Sequence, residues 1–291
     1  MLKQNCLRRF LLPERGVRGE WVNLTDSWLA AKHYQKGDDI VQQQLGQALA
    51  AVSLLSATIK FEGSIILQTQ SNGPLRTLVA QATHDHKIRG MVRCEPLIDT
   101  ASFSELFGTG RLVLTIEQQR GEPYQGIVPL EGESLATALE TYFSQSEQLK
   151  TRLWLFANQT QAVGFLLQQL PSHQESHQND WEHLEILANT VTERELMTLD
   201  VEQLLHRLFH GEQVRIFDAE PVDFQCSCSR ARIERTLRAM GEQELQAIHR
   251  EHRNLEVGCE FCGANYTFDI IDIETLLLSV ENLINESNTR H

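Results

Sequence analysis

Four cysteines fall within 37 residues of this chain, as Cys226-Ser227-Cys228 and Cys259-Glu260-Phe261-Cys262. Two close pairs separated by thirty residues can be brought together only if the chain between them folds back on itself. The remaining two cysteines, Cys6 and Cys94, are isolated and read as ordinary thiols. In a reducing compartment, paired cysteines serve as metal ligands or redox groups and do not form a structural disulfide framework. Zinc takes four thiolates in a tetrahedron at about 2.3 Å, and two pairs supply that set. Gly263 follows the last cysteine, and glycine permits the left-handed turn of a metal knuckle whose amides face the sulfurs. The reading is therefore one Zn²⁺ held by Cys226, Cys228, Cys259 and Cys262. Tyr266 and Phe268 alternate behind it, as in a short strand that packs a small core.

The rest of the chain is long enough for a separate, larger core. Of 291 residues, 41% are hydrophobic and 22% charged, which is ordinary for a globular protein. Residues 1–170 read as one α+β unit. Leu7–Leu12 and Val17–Leu24 look like strands, and Asp38 or Asp39 can cap an apolar helix running to about Thr58. Strands follow at Gly63–Gln70, Leu75–Thr83 and Lys87–Cys94, the first two separated by the turn Ser71-Asn72-Gly73-Pro74. Arg111–Gln119 and Tyr124–Leu130 form a second hairpin. A helix over Glu133–Leu149 and strands at Arg152–Asn158 and Ala162–Leu170 complete the unit. Antiparallel hairpins with intervening helices predict layered α+β architecture and not a doubly wound sheet.

Residues 171–225 differ in kind. They hold 12 Asp and Glu against three Arg and no Lys, which places −9 of the chain's −13 in this one segment. Helical periodicity runs through Trp181, Leu184, Leu187, Val191, Leu196, Leu199, Leu204, Leu205 and Leu208. The segment is thus apolar on one side and self-repelling on the other, and it needs a partner surface to stay folded. Residues 226–291 carry the cysteines, with a polar helical stretch from Arg230 to about Arg253 between the pairs and a terminal helix from about Asp272 to Asn285.

Charge and motif content narrow the function classes. A net −13 leaves few cations to neutralise phosphates, and an acidic surface repels anionic membranes. No apolar run reaches the roughly 18 residues of a membrane helix, and Met1–Phe10 does not read as a secretory signal, so a cytoplasmic location is the expectation. The chain has no phosphate-binding glycine loop or nucleophile-elbow motif. His249-Arg250-Glu251 ahead of the second cysteine pair is too close to it for a zinc deaminase and leaves Cys226 and Cys228 unexplained. Cys-x-x-Cys here lacks the βαβ context of a thiol oxidoreductase. A zinc-ribbon nucleic-acid binder remains the alternative, with Arg230, Arg232, Arg235 and Arg238 as its basic face.

Several stretches together resemble one family, the redox-regulated 33 kDa chaperonins of bacteria. They are Val17-Arg18-Gly19-Glu20, Leu54–Gly63, Tyr124-Gln125-Gly126-Ile127-Val128, Leu130–Leu135, Tyr142–Leu149, Phe224–Arg230 and Cys259–Tyr266. The resemblance covers nearly the whole chain. It implies an ATP-independent holdase, not an enzyme, that is inactive when reduced and zinc-bound and that binds unfolding client proteins under oxidative stress. It further implies that oxidation joins Cys226 to Cys228 and Cys259 to Cys262 and expels zinc. Residues 171–225 then unfold as a linker between the client-binding core and the 226–291 switch domain, and a homodimer forms. The apolar face of that linker (Trp181, Leu184, Leu187, Val191, Leu204, Leu205, Leu208) becomes a candidate client-contact surface.

Overall fold

The structure, a computed structural model, describes residues 4–58, 62–96, 102–118, 121–171, 177–251 and 254–277. Contacts divide the chain into two compact units, Met1–Gln225 and Cys226–His291.

The first unit is built on two sheets. Strands β1 (Cys6–Leu12), β2 (Val17–Leu24), β8 (Thr151–Ala157), β9 (Ala162–Gln169) and β10 (Arg215–Pro221) form a five-stranded antiparallel sheet ordered β10-β1-β2-β9-β8. Strands β3 (Gly63–Ser71), β4 (Leu75–Thr83), β5 (Lys87–Cys94), β6 (Gly110–Gln118), β7 (Tyr124–Pro129) and the short β11 (Asp223–Phe224) form a six-stranded sheet ordered β11-β5-β4-β3-β6-β7. Only β11 runs parallel to its neighbour, β5. The α+β architecture expected from the sequence is the one observed.

Helix α2 (Asp39–Ser56) lies between the sheets and touches β3, β4 and β5 on one side and β2, β8 and β9 on the other. It buries 13 of its 18 residues and carries no charge after Asp39, as a helix packed on both sides requires. Gly46 allows its close approach to the β8–β9 hairpin. A Cβ there would stand 2.5 Å from the Ala157 methyl. Shorter helices flank this layer. They are α1 (Asp26–Lys32), α3 (Phe103–Phe107) and α4 (Leu135–Tyr142), the last continuing through a π-turn to Glu147 in place of the single helix expected over Glu133–Leu149. The π-turn ends at Gln148 in the left-handed region, which breaks the helix before β8.

The opposite face of the five-stranded sheet is covered by α5 (His177–Ala188), α6 (Glu193–Thr198) and α7 (Val201–Phe209). Strand β9, in the sheet interior, is consequently buried on both faces along all but its last residue. Strands β10 and β11, which follow α7, were not expected from the sequence. Residues 171–225 are therefore helical only as far as Phe209, and their last stretch adds a strand to each sheet. A two-for-one bulge opposite Arg9 interrupts the β10 alternation, which hides it from a period-of-two search.

The second unit contains α8 (Arg230–Met240), α9 (Glu242–Glu251) and the hairpin β12 (Asn254–Gly258) and β13 (Asn265–Asp269), followed by a helical run over 270–277. The rest of the tail expected to be helical lies outside the described residues. Leu237, Leu245, Phe268, Ile273 and Leu276 form its small core.

Candidate metal centre

The β12–β13 hairpin presents the second cysteine pair. Its closed end is a tight turn in which Gly263 donates to the Cys259 carbonyl (2.8 Å) and Cys259 donates to that of Ala264 (2.8 Å). Gly263 has φ +67°, the left-handed conformation expected of it, and a side chain there would be strained. The first pair lies directly ahead of α8, whose N-terminus is capped by Ser229 accepting from the Arg232 amide. Arg230 ties this helix start to the hairpin. Its guanidinium sits 4.3 Å over the Phe268 ring, pairs with Asp272 at 2.6 Å and donates to the Thr267 carbonyl at 2.7 Å.

These anchors bring Cys226, Cys228, Cys259 and Cys262 together, with all four sulfurs within 4.8 Å of one another. The Cys226–Cys259 separation is 3.6 Å and the Cys228–Cys262 separation 3.3 Å. Tetrahedral zinc with bonds of about 2.3 Å requires sulfurs about 3.8 Å apart, so the set fits the ion with small adjustments. A disulfide needs about 2.05 Å, and all four thiols are free.

The electrostatics point the same way. Burial opposes ionisation of Cys228, yet the Tyr266 hydroxyl, 3.2 Å from its sulfur, and the neighbouring thiols hold it down at about 7. Burial raises Cys226 and pushes Cys262 up to about 12, even though the amides of Cys228 and Ala264 donate to their respective sulfurs. Left to themselves the thiols cannot all ionise, because each thiolate suppresses the next. A dication removes that conflict and lets all four act as thiolates. The four cysteines could thus hold a metal ion, and they are the only such group among the described residues.

The sequence marked Tyr266 as core packing. It is half-buried and packs against that small core, and its hydroxyl also donates to the Cys228 sulfur, a role its spacing alone does not reveal. Of the four arginines of the proposed basic face, Arg230 is spent on Asp272 and Glu234, Arg232 donates to Ser227 Oγ and Arg238 lies 3.7 Å from Glu234.

In the first unit, the residues singled out for their apolar periodicity come together on one surface. Trp181, Leu184, Val191, Leu204, Leu205 and Leu208 are buried against Phe10, Leu12, Trp21, Phe165 and Leu167 of the sheet, with Leu187 packed at the margin. The rings of Phe10 and Phe165 stack at 5.5 Å beneath them. Cys6 is buried in the same cluster, and Cys94 lies half-exposed at the end of β5. Among the described residues no helix is long and apolar enough to cross a membrane.

Known proteins share both the fold and the sequence. The model of the Hsp33 protein family matches residues 5–269. The chain is 55% identical over 276 residues to the 33 kDa chaperonin of Nitrosococcus oceani, covering 95% of each. It is 45% identical over 282 residues to that of Shewanella putrefaciens, covering 97% of this chain and 98% of the relative. The crystal structure of the 33 kDa chaperonin (heat shock protein 33 homolog) from Thermotoga maritima superimposes with a TM-score of 0.84 over 96% of this chain and 99% of its own, at 21% identity, which speaks to the fold. Four convergent cysteines in one unit and a two-sheet core in the other, together with a family match spanning nearly the full length, make this chain a member of the Hsp33 family of chaperones.

Proposed function

We propose that this chaperone is a redox-controlled, ATP-independent holdase of the cytoplasm, silent while Cys226, Cys228, Cys259 and Cys262 hold Zn²⁺ and active once they are oxidised. The observation that carries the reading is one of sequence continuity. The metal set begins two residues after β11, the last element of a segment with charge −9. That segment also covers an apolar sheet face. Zinc supplies folding free energy to a module of this kind, on the order of 10–16 kcal/mol in zinc-finger peptides. A core as small as the second unit's cannot replace it.

Oxidation joins Cys226 to Cys228 and Cys259 to Cys262. Four thiolates give up four electrons, two peroxide molecules accept them with four protons and leave as water, and the metal loses its ligands. The module then unfolds, the acidic segment follows, and the apolar face meets unfolding clients, with burial worth about 25 cal/mol per Å² as the driving force. The exposed surface also favours a homodimer. Engagement of Arg230, Arg232 and Arg238 within the second unit supports this reading over nucleic-acid binding.

The test is zinc release and suppression of client aggregation, measured before and after peroxide at raised temperature. Oxidised protein should release one zinc per chain and suppress aggregation, and reduced protein should do neither. Equal suppression by both forms would sink the switch. Cys259→Ser should weaken zinc affinity and render residues 177–225 protease-sensitive in the reduced chain; an unchanged cleavage pattern would uncouple the module from the segment.

A further inference from the structure

We infer that the sheet face beneath α5–α7 selects clients by charge, preferring amphipathic segments whose apolar stripe is flanked by carboxylates over equally apolar segments flanked by lysines. This deepens the holdase reading and rests on release of the acidic segment.

The segment itself is the model occupant. Its leucines fill the centre of the face, over Phe10, Leu12, Trp21, Phe165 and Leu167. Around that centre, three arginines rise on the same side of the sheet. Arg8 of β1 pairs with Glu202 of α7 at 3.1 Å and also donates to the Phe217 carbonyl at 2.8 Å. Arg15, in the turn after β1, pairs with Glu212 at 2.8 Å and with Asp180 of α5. Arg152, at the start of β8, pairs with Glu185 of α5 at 3.3 Å and with Glu140 at 2.9 Å. Arg9–Glu220 and Lys87–Asp223 continue the pattern along β10 and β11. Among the described residues, every ion pair between the core and this segment places the base on the core and the acid on the segment.

This one-way polarity is not a by-product of a basic core, because residues 1–170 contain 16 acids and 16 bases. Five of those bases (Arg8, Arg9, Arg15, Lys87 and Arg152) pair with the segment, and among the described residues none of those acids does. When the segment leaves, Arg8 and Arg15 lose their carboxylates and Arg152 keeps one, so an apolar centre remains inside a cationic rim. A client that brings its own carboxylates restores those pairs. One that brings lysines faces like charge on three sides.

The experiment uses the full-length oxidised protein and three labelled peptides. They share the apolar spacing of α5 and α7 and carry Glu, Gln or Lys at all polar positions. Binding is read by fluorescence anisotropy. The Glu peptide should bind about tenfold tighter than the Lys peptide at low salt, the sum of a few partly exposed pairs, and the gap should narrow as salt rises. In Arg15→Gln/Arg152→Gln protein the Glu-to-Lys ratio should fall towards one. Equal binding of the Glu and Lys peptides to oxidised wild-type protein overturns the rim. If instead all three peptides bind reduced and oxidised protein alike, the release reading fails. The rim is then judged on Leu205→Asp protein, in which α7 is displaced without oxidant, by the same ratio.

Discussion

The two faces of the five-stranded sheet are covered by helices of opposite character. On one side α2 is a single helix of 18 residues, free of charge after its first turn and wedged between two sheets. On the other, the cover is broken into α5, α6 and α7, of 12, 6 and 9 residues, all drawn from the acidic segment. Each face buries large apolar side chains completely, Leu45 and Leu49 on one and Leu184 and Leu204 on the other. Apolar burial alone therefore does not distinguish them. They differ in what happens to a helix that lets go. Displacing α2 opens both sheets at once. Displacing α5–α7 opens one face, separates carboxylates that repel one another, and leaves the two-sheet core intact. Under the proposed switch, α2 is the permanent cover of this sheet and α5–α7 are the removable one.

Matched cavities should break this comparison if it is wrong. Leu49→Ala and Leu204→Ala delete the same group from sites of zero exposure, and each should cost about 2–5 kcal/mol. Their reach should differ. In hydrogen exchange, Leu49→Ala should lower protection throughout the first unit. Leu204→Ala should speed exchange in α5–α7, leave β3–β6 protected, and give the reduced protein some ability to suppress aggregation. If Leu204→Ala loosens both sheets equally, the two covers are energetically one.

A smaller effect concerns the permanent side. Glu20 of β2 is 2% exposed, and one of its carboxylate oxygens has no hydrogen-bond partner. Burial pushes its pKa up to about 7 from an ordinary 4.5, against the pull of Arg18 and Arg9. The folded state thus binds this proton more tightly than the unfolded chain does. Stability from this group is greatest below pH 4.5, declines as pH rises towards 7, and stays low above it. Glu20→Gln should therefore stabilise the protein by up to about 3 kcal/mol at pH 8 and by almost nothing at pH 4. Denaturant midpoints at the two pH values check it. An equal gain at both would mean that Glu20 is already neutral or well solvated.

The sequence disclosed these regions unevenly, for physical reasons. The four cysteines were legible because metal ligation demands particular atoms at short spacing. The hairpins and α2 were legible because an unbroken period and glycine-rich turns announce them. The leucines of α5–α7 gave their periodicity and their charge, but not the arginines that meet that charge. Arg8, Arg15 and Arg152 lie far from their partners in sequence, and nothing local to an arginine says which carboxylate it will face. β10 was lost for a related reason. Its partner β1 lies some 200 residues earlier, and its bulge scrambles the alternation. The Tyr266–Cys228 contact spans the module in the same way.

The smallest expected effect probes how the removable cover is held in pieces. Both α6 and α7 begin with a capping box. Thr192 and Glu195 exchange bonds at the first, and Asp200 and Gln203 at the second. These caps satisfy amides that a single long helix would pair internally, so three short helices stay folded while docked. Asp200→Ala removes the second cap and should cost about 1 kcal/mol. It also removes one negative charge from a segment carrying −9, which works in the opposite direction by easing self-repulsion. Asp200→Asn separates the two, since it keeps a capping oxygen and loses the charge. If repulsion poises the cover for release, Asp200→Asn should slow proteolysis of residues 177–209 in the reduced protein, and Asp200→Ala should speed it. Slower cleavage in neither variant would mean that the acidity of the segment is matched by the core arginines and contributes nothing to letting go.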